Sequence, residues 1–146
     1  MPNPHIFRTV ALFTLFLTFV AVRPAIAQDR MSDKDVENLM KNLKQDSKTF
    51  QSAFNSSISH STIRKTSQEK DDKATVQLYR NQVDRMLDVF QDKRQANDTL
   101  PVVMNTSGQI DEIFKSVQLG ESAKSAWKKC KTEMNMLATQ FNMSGH

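Results

Sequence analysis

Apolar residues return in this chain at alternating steps of four and three. One line runs Val36, Met40, Leu43, Ser47, Phe50, Phe54. Another runs Ala123, Trp127, Cys130, Met134, Leu137, Phe141, and both advance 4, 3, 4, 3, 4. Such a seam is one stripe of an α-helix laid against a second helix, because side chains three and four apart share a face. A half-buried strand would alternate every second residue instead. Composition agrees. Glycine occurs 3 times, and beyond residue 27 the sole proline is Pro101, too few of either for the turns of a β-sandwich or barrel.

Four segments carry these stripes: 32–58, 66–94, 99–119 and 121–142. Ser32 suits the first N-cap, with Asp33 and Asp35 at the positive end of the helix dipole and Leu39 widening the seam. Thr66-Ser67-Gln68-Glu69 spells a capping box, in which Glu69 should reach back to the amide of Thr66. The second line is Val76, Tyr79, Val83, Met86, Phe90, with Leu87 beside it and Lys93 and Arg94 at the negative end. The third is Val103, Ser107, Ile110, Phe114, Val117, with Ile113 beside it. Asp98 or Thr99 can cap it, and Pro101 falls in its first turn, where a missing amide costs nothing. Gly108 weakens this helix by about 1 kcal/mol relative to Ala and is a place for a kink, while Gly120 reads as its stop.

Four amphipathic helices with short links predict an all-α, up-down-up-down four-helix bundle. The alternative splits the third segment and gives a looser five-helix array. The second helix should be about 28 residues, roughly 42 Å long. The third is shorter and should leave part of its neighbours uncovered, which makes that region the first place to look for a binding surface.

Residues 1–27 read as an export signal. Arg8 precedes an apolar run from Val10 to Val22, and Ala25-x-Ala27 offers small residues for cleavage before Gln28. The run is about 13 residues, short of the roughly 20 that span a bilayer, so no stable membrane anchor is expected after cleavage. No cysteine follows the cleavage site, so a lipoprotein anchor is not expected either. Residues 28–146 are then one helical bundle domain, periplasmic or secreted. Of the 20 Lys and Arg, Arg8 and Arg23 fall in the signal, against 16 Asp and Glu in the remainder. That small, dispersed excess does not point to nucleic acid. Cys130 stands alone, so no internal disulfide is possible.

The residues that carry chemistry are few. Cys130 and Met134 share a helical face, and with Met40 or Met86 they form a soft set suited to Cu(I) or to thiol redox. Their seam positions favour a place in the core, where Met commonly fills gaps. His5, His60 and His146 show no zinc spacing, and no Glu-x-x-His motif is present, so neither metal nor cofactor is expected. Asp84, Asp88 and Asp92 recur every four residues as a solvated stripe. No glycine-rich phosphate loop, nucleophile elbow or Ser/His/Asp order appears, and no catalytic residue or enzymatic activity is expected. Two groups stand out as candidate interaction residues. Lys124, Lys128 and Lys131 line one side of the fourth helix next to Trp127, a basic face flanked by an aromatic that suits anionic groups. In the link before the second helix, Ile63 should plug the bundle end while Arg64 and Lys65 point outward.

Ser61-Thr62-Ile63-Arg64 ahead of a charged helix, Leu100-Pro101-Val102-Val103 and Gln109-Ile110-Asp111 together resemble a group of short exported proteins of unknown function from acidobacteria-type bacteria. The resemblance implies a bacterial envelope location and an all-helical fold. It brings no activity and no functional residues. The expectation is therefore a non-enzymatic envelope protein, monomer or homodimer, that binds a protein, peptide or apolar ligand. The alternative is a soft-metal or thiol-redox binder centred on Cys130 and Met134.

Overall fold

The computed structural model describes residues 30–142. The expected signal segment 1–27, with His5, and the terminal His146 lie outside the described residues. Four helices follow in order: α1 Asp33–Ile58, α2 Ser67–Lys93, α3 Leu100–Ser116 and α4 Glu121–Gln140. There is no strand among the described residues. Each helix packs on its neighbours in a ring, α1 on α2 and α4, α2 on α3, and α3 only lightly on α4. Cross-helix bonds fix the antiparallel sense. Met31 N donates to Gln140 Oε1 at 3.0 Å, Arg94 Nη1 meets Glu37 Oε2 at 2.7 Å, and Gly120 N donates to Ser57 Oγ at 2.6 Å. The molecule is an up-down-up-down four-helix bundle. α3 runs unbroken through Gly108, so the five-helix alternative does not hold. No described helix is long and apolar enough to cross a membrane.

The helix starts follow local chemistry. Ser32 Oγ accepts the Asp35 amide at 3.2 Å, as an N-cap should. Thr66 Oγ1 likewise accepts the Glu69 amide at 3.3 Å. The reciprocal half of that box differs from the expected form. Glu69 Oε2 takes the amide of Lys65, one residue earlier, at 2.5 Å, while the Thr66 amide turns back to the Ile63 carbonyl. Lys65 stands at φ 64°, and this left-handed turn aims its amide at the carboxylate. Gly120 departs further. α3 stops at Ser116, and Gly120 is the N-cap of α4, in extended backbone. Its amide is held by Ser57 at the end of α1 rather than by any carbonyl of α3.

The seams of α1, α2 and α4 are buried as the spacing requires, except that Phe141, the C-cap of α4, is only half-buried. α3 is rotated by part of a turn. Its buried line is Leu100, Val103, Thr106, Ile110, Ile113, whereas Ser107 and Phe114 are half-buried. The reason is the unequal ring. α3 leans on α2 and barely touches α4, so its inner face turns toward α2 and leaves Phe114 at the open edge. Thr106 tolerates burial because its hydroxyl donates to the Val102 carbonyl at 3.3 Å. Val117 and Leu119, in the link, are buried and close the end of the core.

Every helix gives one ring to a central aromatic cluster: Phe50, Tyr79, Phe114 and Trp127. Trp127 lies 4.8 Å from Phe50, 5.2 Å edge-on from Tyr79 and 6.3 Å from a nearly parallel Phe114, centroid to centroid. Such pairs add about 0.5–1.5 kcal/mol each beyond their buried area.

Candidate functional site

The light contact between α3 and α4 leaves a groove of about 390 Å³, lined by Phe114, Lys124, Trp127, Lys128, Lys131, Thr132 and Asn135. The i, i+4 and i+3 spacing that puts Lys124, Lys128 and Lys131 on one side of α4 therefore brings all three to the same cavity. Its floor is the Phe114–Trp127 stack, inclined at 14°.

The floor is rigid. Asp111 on α3 accepts Trp127 Nε1–H at 2.8 Å through one oxygen and Lys131 Nζ at 2.8 Å through the other. This carboxylate fixes the indole and ties α3 to α4 at the edge where apolar packing is thinnest. No spacing rule links residue 111 to 127 and 131 before the helix pairing is known.

The three lysines differ in their freedom. Lys131 is committed to Asp111. Lys124 pairs with Glu121 at 2.7 Å, but that carboxylate side chain is 88% exposed and the contact competes with water. Lys128 is exposed and forms no ion pair among the described residues. The groove thus presents one uncompensated cation and a second that is loosely held, above an aromatic surface.

The link candidates stand apart from this groove. Ile63 is half-buried against the core, and Arg64 and Lys65 are exposed, as the sequence suggested. At the same end lies an open cleft of about 700 Å³, lined by hydroxyl-rich segments of α1, both adjoining links and the start of α4. Lys124 lines both cavities, while Ile63, Arg64 and Lys65 line neither.

Cys130 and Met134 are packed in the core. Cys130 is fully buried, and Met134 Sδ accepts the Tyr79 hydroxyl at 3.4 Å. Burial first, then the negative charges of Glu133 and Asp46, push the Cys130 thiol up to about 12. A thiolate, the form that binds soft metals or attacks disulfides, is therefore strongly disfavoured here. Met40 and Met86 are equally enclosed. Among the described residues no group of three or more His, Cys, Asp or Glu is placed to hold a metal ion.

The acidic stripe of α2 divides. Asp84 reaches Lys44 on α1 at 3.4 Å, whereas Asp88 and Asp92 are exposed. Arg80, one turn before Asp84, turns to Gln51 Oε1 at 3.0 Å instead. A second carboxylate cluster was not apparent from spacing: Glu133 on α4 lies against Asp46 on α1, with Glu133 Oε2 buried and without a donor.

No protein-family model matches the chain, and no curated protein or solved structure matches it.

Proposed function

We propose that this chain is a non-enzymatic binding protein of the cell envelope, and that the α3–α4 groove takes a small organic anion with a flat apolar body. The carrying observation is the convergence of Lys124, Lys128 and Lys131 on a cavity floored by Phe114 and Trp127. An apolar ring gains contact area on the aromatic floor, and a carboxylate or sulfonate at its edge meets Lys128. The envelope location rests on the reading of residues 1–27.

Calorimetric titration with naphthoate and with its uncharged analogue naphthamide tests the reading. Naphthoate should bind, more weakly as salt is added, and naphthamide should bind at least about tenfold less well, the equivalent of roughly 1.4 kcal/mol. Lys128→Glu should abolish the preference, whereas Lys34→Glu, an equal charge change at the start of α1, should preserve it. Equal affinity for both ligands, or an unaffected Lys128→Glu variant, would overturn the proposal.

A further inference from the structure

A different face carries a second kind of recognition. Between α2 and α3 lies a cleft of about 310 Å³, lined by Leu78, Gln82, Arg85, Asp98, Thr99 and Val102. Leu78 and Val102 are each 47% exposed, and they are two of the three large hydrophobic residues so exposed among the described residues. Two half-exposed apolar side chains thus meet in one cleft. Arg85 and Asp98 also line this cleft, yet neither forms an ion pair among the described residues. Gln82 Oε1 is buried there and accepts no hydrogen bond.

We propose that this cleft is the contact face of a two-fold symmetric dimer of the chain. In such a dimer the same patch meets itself, so it must carry both halves of every complementary pair. This one does. Its apolar pair, Leu78 and Val102, can cover the same pair on the second copy. Its one cation and one anion, Arg85 and Asp98, can each meet the opposite charge across the axis, twice over. A purely acidic partner would leave Asp98 facing a like charge, and a purely basic one would do the same to Arg85. A second copy avoids both by symmetry. The patch is small beside a permanent interface, so the dimer is reversible and depends on concentration. The cleft shares α3 with the ligand groove but none of its residues, so dimer and ligand reading stand or fall separately.

Sedimentation velocity over a concentration series decides this. The wild-type chain should shift from monomer toward dimer as concentration rises. Arg85→Glu alone and Asp98→Arg alone should each stay monomeric, because each places like charges together at both ends of the axis. An equimolar mixture of these two variants should dimerise, since every facing pair is then opposite, and the double variant should dimerise by itself. Leu78→Ser should weaken association without touching a charge. Far-UV circular dichroism confirms that each variant is folded. A wild type that stays monomeric to its solubility limit would overturn the proposal. So would single variants that still dimerise, or a mixture that stays monomeric.

Discussion

Glu133 shows how one residue can set the pH response of the whole bundle. Burial first, and the Asp46 carboxylate second, push it up to about 7, while Lys129 opposes them. Glu133 Oε2 is buried without a donor, which disfavours its charged form further. In the unfolded chain the same group loses its proton near 4.5. Between those values the folded state holds the extra proton, so its stability falls as pH rises toward 7 and is level above. Glu37 works in the opposite sense. Lys41, Arg94 and Gln91 hold it down at about 2, so its contribution is present above 4.5 and fades as pH drops toward 2. Urea midpoints should accordingly be higher near about pH 5 than near about pH 8. Glu133→Gln should flatten that slope, since an amide can donate to Asp46 at any pH. A variant that keeps the wild-type slope would assign it to another group.

Among the helices, α3 borders both proposed recognition surfaces, and it is the least anchored. Its N-cap, Thr99, makes no side-chain bond to the first amides, and its contact with α4 is the lightest in the ring. Gly108 adds an entropic cost in its middle without any geometric need, because a Cβ at that position would meet nothing within 4 Å. Gly108→Ala should raise stability by roughly 0.5–1 kcal/mol, measured by chemical denaturation. A loss of stability would mean that the backbone at 108 is not helical in solution. α3 also marks where sequence spacing reached its limit. Val103, Ile110 and Val117 belong to both possible seams, one continuing through Ser107 and Phe114, the other through Thr106 and Ile113. Apolar weight alone favours Phe114 over Thr106. The choice was made instead by α3 leaning on α2, which is a property of the ring and not of the segment.

At the scale of the whole molecule, the seams of α1, α2 and α4 were legible because each is a local pattern, and so was the gathering of Lys124, Lys128 and Lys131 on one side of one helix. The aromatic floor of the groove, the Asp111 clamp and the Asp46–Glu133 contact were not, because each joins residues on different helices. Cys130 and Met134 illustrate the reverse case. Their spacing permits a soft-metal pair, yet the assembled core encloses both and gives the methionine sulfur to Tyr79. The core thus encloses Cys130 and Met134, while the α3–α4 edge stays open. Trp127, the chain's one tryptophan, reports on that edge directly, because it lines the groove and its indole N–H is held by Asp111 across from α4. A heteronuclear NMR titration with naphthoate follows that single indole resonance. It should move progressively with ligand, together with the amides of Phe114, Thr132 and Asn135. A stationary indole signal, or shifts confined to other faces of the bundle, would contradict the account.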